Sequence, residues 1–455
     1  MQTAMNIHSS NNSNTVQATR YDSIVIGLGL TGLACARYLA SRGERIAVAD
    51  TRPNPPQLDA LRRELPQVPL FLGDLAAAPL MKAARLVVSP GLSLHEPALQ
   101  AVNVPVLGDI ELFAQSVTAP IAAITGANGK STVTTLLQQM ATQAGLRAAA
   151  GGNLAPPALE LLTSPEPDLF VLELSSFQLE TTHSLNAAAA VVLNITADHM
   201  DRYADITAYQ AAKARIYQGS GVMVINLDDP LVRELQQSNR QTLAFTLQDP
   251  GTDAQIFGLR DGWLVRGNEQ LIATADIRLQ GLHNQSNALA ALALGTALDL
   301  PVAAMCQTLR EFAGLPHRCQ WVAHKSGADW YNDSKGTNVG ASIAAITGLA
   351  GVNDVILIAG GDGKGADFDE LVAAMRGRVR LAILLGRDAD RIAAAIAAQI
   401  PVKTVADMPA AVNAAAAAVH AGDKVLLSPA CASLDMFRDY KHRGDVFTRA
   451  VQELP

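Results

Sequence analysis

Two glycine-rich loops, each between an apolar run and a helical stretch, constrain the fold of this chain more than any other feature. The first loop, GLGLTG, follows a strand-like run at 23–26 and precedes a helical stretch at 33–41. The second, GANGKST, follows IAAIT and precedes a helix predicted at 133–144. Because strand–loop–helix units return the chain to a parallel sheet, the pattern predicts an α/β fold.

The length of 455 residues is too great for one ordinary hydrophobic core and suggests about three domains. Short apolar runs continue the α/β pattern to the end of the chain, with strands predicted at 45–50, 70–72, 86–88, 104–106, 169–174, 190–194, 222–226, 330–332, 355–359, 381–385 and 424–427. We therefore predict a disordered tail (1–20), a Rossmann-like N-terminal domain (21–112), a central P-loop ATPase-type α/β domain (113–316) and a Rossmann-like C-terminal domain (317–455). The stretch 314–318, which contains a proline, is the predicted linker into the last of these.

Composition excludes several classes of protein. Hydrophobic residues make up 49% and charged residues 17%, which is typical of a globular enzyme and not of a disordered chain. A net charge of -7 offers no basic field for nucleic acid, so we expect no nucleic-acid partner. The apolar runs fall well short of the ~20 residues that a membrane helix needs, so we expect no membrane anchor.

The cysteines and the N-terminal residues favour a cytoplasmic location. Four cysteines are scattered without a CxxC pair, which suggests neither a zinc site nor a disulfide framework. The first twenty residues are polar and lack the apolar segment of a signal peptide.

The first loop has the spacing of a nucleotide-diphosphate site. Gly27, Gly29 and Gly32 form GxGxxG between a strand and a helix, and Asp50 closes the next predicted strand. Such glycines bring a diphosphate close to a helix N-terminus, and the acid can accept hydrogen bonds from ribose hydroxyls. Nicotinamide is not required by this chemistry, since a UDP-sugar presents the same groups. The alternative, glycines needed only for packing, is less favoured because of the downstream acid.

The second loop predicts binding of nucleotide phosphates. Gly126, Gly129, Lys130 and Ser131 follow a predicted strand and open a helix, where backbone N–H groups, the helix dipole and a lysine can hold phosphates. The usual GxxxxGK[ST] pattern needs a glycine at 124, where this chain has Ile124. The tripeptide Gly-Lys-Ser alone would fit a simple helix cap equally well. The strand–loop–helix context is what favours phosphate binding.

TGANGKST resembles the phosphate loop of the Mur ligases and their folylpolyglutamate synthetase relatives. Further segments match in the same order and span nearly the whole chain outside the tail: LELSSFQLE (172–180), NITADHMDRY (194–203), AAKARIY (211–217), GLHNQSNALAA (281–291), GLPHRC (314–319), NDSKGTNVG (332–340), GGDGKGADF (360–368) and SPACASLDMF (428–437). Within the family, GLGLTG, NDSKGTN and SPACASLDMF are similar to the member that adds D-glutamate. The DNPR-type segment of the diaminopimelate-adding member is not found.

The resemblance implies an ATP-dependent, ADP-forming ligase of peptidoglycan precursor synthesis. Enzymes of this family transfer the γ-phosphate of ATP to a carboxylate, and the incoming amine attacks the acyl phosphate. The implied substrates are UDP-N-acetylmuramoyl-L-alanine, D-glutamate and ATP, with two Mg²⁺ ions. We also expect a monomer.

The resemblance also assigns site residues. Catalytic roles fall to Lys130, His199 and Lys213. ATP contacts fall to Gly126, Asn128, Gly129, Lys130, Ser131, Thr132, Asn284, Asn287, Arg318 and Asp333. Metal ligands would be Ser131, Glu173, His199 and Lys213, the lysine as its carbamate. Without the family context we would favour a salt bridge for Glu173, a capping or core role for His199 and a solvated helix face for Lys213.

Two further sets complete the expected site. The UDP-sugar set is Leu30, Thr31, Asp50, Thr51, Gly91 and Asn153. The D-glutamate set is Lys335, Thr337, Lys364, Ser433 and Tyr440. Asn284 and Asn287 stand three residues apart at a predicted helix start, so both amides can face an adenine edge, although Asn284 could instead cap the helix.

Three alternatives stay open at this point. An NAD-dependent oxidoreductase would explain GxGxxG but not the second loop. A non-catalytic UDP-sugar sensor would need none of the phosphate and metal residues. Another Mur ligase with a different amino acid is the nearest rival.

Overall fold

The computed structural model describes residues 20–163, 165–200, 202–279, 281–396 and 399–455. Within these ranges the strands form three sheets with helices packed on them, which confirms the predicted α/β fold. The chain divides into two compact units, one ending at Asp109 and one running from Ile110 to Pro455. The predicted tail lies, apart from Arg20, outside the described residues, and the domain boundaries at 112 and 316 stay predictions.

The first unit contains one parallel five-stranded sheet in the order β3-β2-β1-β4-β5. Its strands are β1 (Tyr21–Ile26), β2 (Ile46–Asp50), β3 (Leu70–Leu72), β4 (Ala83–Val88) and β5 (Val106–Leu107). Its helices are α1 (Leu30–Ser41), α2 (Leu58–Glu64) and α3 (Pro97–Gln100). Helix α4 (Asp109–Ala114) begins at its last residue.

The first glycine loop has a geometric need for glycine at both ends. Gly27 adopts φ +94°, a left-handed conformation that L side chains rarely take. A Cβ at Gly32 would lie 1.8 Å from the carbonyl oxygen of Gly27. The loop can therefore turn tightly from β1 into α1 only with these glycines.

The second unit begins with a nine-stranded sheet in the order β14-β13-β12-β11-β10-β9-β6-β8-β7. Its strands are β6 (Ile121–Thr125), β7 (Ala148–Gly152), β8 (Leu169–Glu173), β9 (Ala189–Val192), β10 (Val222–Asn226), β11 (Thr242–Phe245), β12 (Ile256–Arg260), β13 (Trp263–Arg266) and β14 (Glu269–Ala273). Its helices are α5 (Lys130–Gln143), α6 (Ser176–Glu180), α7 (Ile206–Ala214), α8 (Pro230–Arg233), α9 (Leu282–Ala297) and α10 (Val302–Glu311).

The central strands of this sheet are covered on both faces. Every residue of β6, β8, β9 and β10 is buried, as expected for apolar strands of a parallel sheet with helices on each side. Helices α5, α9 and α10 supply one large core with these strands. The loops at the carboxyl ends of the strands are thereby held on a rigid scaffold.

A six-stranded sheet follows in the same unit, in the order β15-β16-β20-β17-β18-β19. Its strands are β15 (Gln320–Lys325), β16 (Ala328–Asn332), β17 (Val355–Ala359), β18 (Val379–Leu384), β19 (Val402–Thr404) and β20 (Lys424–Leu427). Its helices are α11 (Val339–Leu349), α12 (Asp369–Met375), α13 (Ala389–Ile396), α14 (Met408–Ala416) and α15 (Tyr440–Gln452). Among the described strands of this sheet, only β15 is antiparallel to its neighbour.

Short 3₁₀ helices occur at Leu75–Ala77, Leu80–Lys82, Ala158–Leu161, Arg215–Tyr217 and Thr274–Asp276. In the described ranges, none of the helices has both the length and the apolar character needed to cross a bilayer.

Candidate active site

The phosphate loop connects β6 to α5 and exposes its backbone at the start of the helix. Gly126 and Gly129 adopt φ +153° and +84°. A Cβ at Gly129 would lie 2.4 Å from Oδ1 of Asn287, so a side chain there would collide with α9. Lys130 donates hydrogen bonds from Nζ to the carbonyls of Gly126 (2.7 Å) and Ala127 (2.9 Å). Burial lowers the pKa of Lys130, and the nearby carboxylates of Glu173 and Asp198 oppose that shift.

Two cavities meet at this loop. Cavity A, about 280 Å³, lies towards α9 and α11. Of the predicted site residues, it is lined by Asn128, Gly129, Thr132, Asn284, Asn287, Arg318, Asp333 and Lys335. Cavity B, about 340 Å³, lies towards β8 and α7. Of the predicted site residues, it is lined by Asn128, Gly129, Lys130, Ser131, Asn153, Glu173, His199, Lys213, Arg318, Lys335, Thr337 and Lys364.

Glu173 has a carboxylate oxygen without a hydrogen-bond partner in the described part of the chain. It is the last residue of β8 and is only 3% exposed. Its Oε1 accepts a hydrogen bond from Asn153 Nδ2 at 2.6 Å, while Oε2 has no hydrogen-bond partner among the described residues. A buried carboxylate oxygen left in this state is costly unless a cation completes it. The salt bridge considered from sequence is not observed, since no ion pair of Glu173 occurs in the described ranges.

Lys213 is buried, not on a solvated helix face. Its side chain is 1% exposed on α7, and Nζ donates to the carbonyl of Gly126 at 3.0 Å. Nζ also lies 4.3 Å from the centre of the Tyr209 ring. Burial lowers the pKa of Lys213 well below its usual value, with a further contribution from the charge of Lys130. A larger share of its amine is therefore neutral than for a solvated lysine.

Asp198 is a carboxylate in the lining of cavity B, and it is not among the site residues predicted from the sequence. Its Oδ1 accepts from the backbone N–H of His199 at 3.0 Å, and its Oδ2 accepts from Asn338 Nδ2 at 3.2 Å. Lys364 Nζ lies 4.0 Å from Oδ1. The charge of Asp198 also raises the pKa of both Lys130 and Lys213 against the larger effect of burial. The signal in the sequence is its place in the loop beyond β9, within the segment NITADHMDRY.

His199 lines cavity B from the same loop. It adopts φ +58°, an unusual conformation for a non-glycine residue. Its ring packs edge-on against Phe177 with 4.9 Å between centroids, and Nε2 lies 3.7 Å from Asp198 Oδ2. The side chain is 36% exposed, so it is not a core histidine. Strained backbone of this kind persists where the surroundings fix it, and it is common in functional sites.

Asn284 and Asn287 face the same cavity from the first turns of α9. Asn287 Nδ2 donates to Asn284 Oδ1 at 3.3 Å, and both amides line cavity A. Gly281 is the N-cap residue of α9 and has no side chain to cap it, and the capping alternative for Asn284 stays open.

The residues that follow the central sheet complete cavity A. Arg318 donates from Nη2 to Ser131 Oγ at 2.6 Å and so links the phosphate loop to the segment before β15. Asp333 accepts from Ser428 Oγ at 2.7 Å and from the N–H of Cys319 at 3.1 Å. Burial raises the pKa of Asp333 to about 7. Burial, with the charges of Arg318 and Lys130, lowers the pKa of Lys335 to about 8.

Only some of the predicted D-glutamate residues lie together on one cavity. Lys335, Thr337 and Lys364 line cavity B. Tyr440 does not line cavity B, although Nζ of Lys335 lies 4.3 Å from the centre of its ring. Ser433 is buried at 4% exposure and lines neither cavity A nor cavity B. Its role stays a prediction.

The UDP-sugar residues are divided between the two units. Cavity C, about 350 Å³, lies in the first unit and is lined by Leu30, Thr31, Asp50, Thr51 and Gly91. Asn153, by contrast, lies in the second unit on cavity B.

The Asp50 carboxylate at the end of β2 is already engaged by protein donors. It accepts hydrogen bonds from the N–H of Leu28 at 2.6 Å and from both the backbone and the side chain of Arg52. Burial alone would raise the pKa of Asp50, but these hydrogen bonds outweigh it and the pKa lies below the usual value.

The donor set of cavity B fits magnesium as a partner of phosphates. The described residues contain no cluster of three or more His, Cys, Asp or Glu side chains able to hold a metal alone. Magnesium is usually held by one or two carboxylates together with phosphate oxygens and water. The unpartnered Oε2 of Glu173, beside the phosphate loop, is a ligand of that kind.

Family models match almost the whole length of the described chain. The Mur ligase MurD-like N-terminal domain matches residues 21–108, the Mur ligase middle domain matches 124–295, and the Mur ligase glutamate ligase domain matches 317–431. The chain belongs to the Mur ligase family, which confirms the resemblance drawn from its motifs.

Particular relatives can also be given. A UDP-N-acetylmuramoylalanine–D-glutamate ligase of Nitrosococcus oceani is 55% identical over 437 residues, covering 95% of this chain and 96% of the relative. One of the same name from Pseudomonas aeruginosa is 50% identical over 446 residues, covering 96% and 99%. A solved structure, the UDP-N-acetylmuramate–alanine ligase of Thermotoga maritima, shares the fold with TM-score 0.60 at 16% identity, covering 95% and 99% of the two chains.

Proposed function

We propose that the chain is an ATP-dependent ligase that adds D-glutamate to UDP-N-acetylmuramoyl-L-alanine, releasing ADP and phosphate. The observation that carries the proposal is the junction of cavities A and B at the phosphate loop. One cavity offers paired amides and a carboxylate, as a nucleoside requires, and the other offers four lysines around Asp198, as phosphates and carboxylates require. The near-full-length relatives with this activity support the choice of amino acid.

The proposed reaction is the one that the family resemblance implies, and the charged groups of the two cavities support it. The alanine carboxylate of the UDP-sugar attacks the γ-phosphorus of ATP, the bond to the β–γ bridging oxygen breaks, and ADP leaves. The amine of D-glutamate then attacks the acyl carbon, an amide bond forms, the nitrogen loses a proton, and phosphate leaves. Little covalent work falls to the protein. Its task is to align the reactants and to neutralise charge, which Lys130 and Arg318 are placed to do at the phosphate loop.

Magnesium is the second part of the proposal. Glu173 and Ser131 would hold an ion beside the phosphates, and His199 with the carbamate of Lys213 would hold another. When bound, magnesium supplies positive charge that disperses the developing negative charge on the transferred phosphoryl group.

The carbamate on Lys213 would form by attack of the neutral amine on carbon dioxide, with loss of a proton. Burial favours the neutral amine, and the product is an anion of carboxylate type. The site contains several lysines and the peptide dipole at the start of α5, so an anion here would be well compensated. Lys213 thus becomes a candidate metal ligand instead of an unpaired buried cation.

The test of the function is the release of ADP from ATP and magnesium with UDP-N-acetylmuramoyl-L-alanine, while the amino acid is varied. We expect release with D-glutamate and at least about a hundredfold less with L-glutamate, L-alanine or diaminopimelate. Preference for another amino acid would favour a different Mur ligase, and binding without ADP release would favour a UDP-sugar sensor. We further propose that the enzyme acts in the cytoplasm as a monomer.

Cavity C gives a separate prediction: the GxGxxG loop binds a uridine nucleotide and not NAD. Isothermal titration of the wild-type protein is expected to show saturable binding of the UDP-sugar. NADH should give no heat of binding at the same concentrations. Thr31→Glu, on the cavity wall, should weaken UDP-sugar binding at least about tenfold, because it places a carboxylate beside the site proposed for the anionic diphosphate. Micromolar NADH binding with none of the UDP-sugar would refute the assignment.

A further inference from the structure

The His283 side chain joins the first turn of α9 to helix α11 at one end of cavity A. Its ring lies against the backbone of α11, near Ala344 and Gly348. Its Nδ1 is buried and has no hydrogen-bond partner among the described residues.

Two glycines make room for this ring. A Cβ at Gly348 would lie 2.9 Å from Nδ1 and 3.3 Å from Cε1 of His283, and a Cβ at Gly281 would lie 3.2 Å and 3.1 Å from the same atoms. Gly348 lies inside α11 and does not have positive φ, so its backbone does not call for glycine. By helix propensity alone, alanine at position 348 would stabilise the helix by about 1 kcal/mol relative to glycine. The missing side chain at 348 is explained by the imidazole that occupies its space.

Cavity A is lined by residues of both α9 and α11, including His283 itself. Asn284 and Asn287 line it from α9, and Ala341, Ala344 and Ala345 line it from α11. The width of the cavity therefore depends on how α11 is seated against α9. Helix α11 also begins directly after Asn338, whose side chain caps it by accepting from the N–H of Ala341 at 2.8 Å. The segment with Lys335 and Thr337 precedes that cap, so its position follows the helix.

We propose that His283 is a positioning residue that holds α11 in place against α9, an arrangement called the seated state below. It thereby determines the width of cavity A and the position of the adjoining 335–337 segment. Burial lowers the pKa of His283 to about 4, so the ring is neutral near pH 7 and carries one N–H. Because the ring is neutral, it has no second N–H that would be buried without an acceptor beside the two glycines. The substrate names used in the test rest on the proposed function, but the seating itself does not.

The test is a double-mutant cycle of His283→Ala and Gly348→Ala, with the dissociation constant of ATP measured by calorimetry. Each single variant should bind ATP on the order of tenfold more weakly, since the seated state becomes less populated. Gly348→Ala added to His283→Ala should have no further effect, because the added methyl group then enters the space left by the imidazole. Thr347→Ala, at an exposed position on the same helix, is the matched control and should bind ATP like the wild type.

A kinetic measurement distinguishes a positioning role of His283 from direct contact between His283 and the adenine of ATP. With ATP held below saturation, the KM for D-glutamate should rise together with the KM for ATP in both single variants, while kcat at saturation stays within about twofold. Additive effects of the two substitutions, or a rise confined to the KM for ATP, would overturn the proposal. If the wild type releases no ADP with D-glutamate, the proposed function fails, but the calorimetric cycle still tests the seating.

Discussion

Lys213→Ala is expected to lower the D-glutamate-dependent turnover by at least about a thousandfold, because the anion that the carbamate supplies to the metal centre would be lost. The buried Nζ lies 3.0 Å from the carbonyl of Gly126, so the same substitution also removes a group directly behind the phosphate loop. ADP release with all three substrates and magnesium measures the loss.

A rescue experiment distinguishes a chemical from a structural role for Lys213. Formate or acetate added to Lys213→Ala can occupy the space of the missing carbamate and should restore part of the turnover. Lys213→Met keeps the length of the side chain and fills the same buried volume, so it should be equally inactive but not rescued. Thr207→Ala, at an exposed site on α7, should leave turnover unchanged. Wild-type activity in Lys213→Ala would refute the role. Failure of both formate and acetate to restore turnover would contradict the proposed carbamate.

Much of this site could be predicted because parallel sheets place functional loops at the carboxyl ends of their strands. The phosphate loop follows β6, Glu173 ends β8, and Lys364 follows β17. In each case the apolar strand and the polar or glycine-rich loop are adjacent in sequence. The bounds of strands β3, β10, β17 and β20 agree with the sequence-based expectation for the same reason.

Lys213 shows what sequence reasoning could not supply. Its helix has a mixture of small and polar residues, which indicates a surface helix, yet the side chain is almost fully buried. Its burial depends on Gly126, 87 positions earlier in the chain, and on the fold that brings the two together. Asp198 was overlooked for a similar reason, because its partners come from separate loops.

The strands β12 to β14 were not predicted although a signal is present. Asp261 and Gly262 join β12 to β13, and both have positive φ, +51° and +77°. An Asp-Gly pair of this kind between two apolar runs is a strong indicator of a two-residue hairpin. The antiparallel extension of the central sheet could thus have been found from the sequence.

The D-glutamate site is where this enzyme would differ from relatives that share its ATP chemistry, and Lys364 is its most testable residue. Lys364 adopts φ +51° in the loop after β17, and its N–H donates to Asp362 Oδ1 at 3.0 Å. The N–H of the preceding residue, Gly363, donates to Asp388 Oδ2 at 2.7 Å. These bonds hold the loop so that the lysine side chain lies on cavity B.

The only ion-pair partner found for Lys364 in the described ranges is Asp198, with 4.0 Å between Nζ and Oδ1. A pair at this distance, with the lysine side chain 35% exposed, contributes little to stability. A substrate carboxylate can therefore compete for the ammonium group at small cost. Replacement of the lysine should accordingly harm substrate binding far more than folding.

Lys364→Ala is expected to lower kcat/KM for D-glutamate about a hundredfold, since a charge-assisted bond to a bound carboxylate contributes on the order of 2 to 3 kcal/mol. The KM values for ATP and for the UDP-sugar, and the unfolding temperature, should change much less. Lys403→Ala removes an exposed lysine from β19 of the same sheet and serves as the control for loss of charge. Arginine at 364 should recover part of the loss, because it restores the cation but not the length of the side chain. A variant with weaker ATP binding and an unchanged D-glutamate dependence would show that Lys364 serves the nucleotide instead.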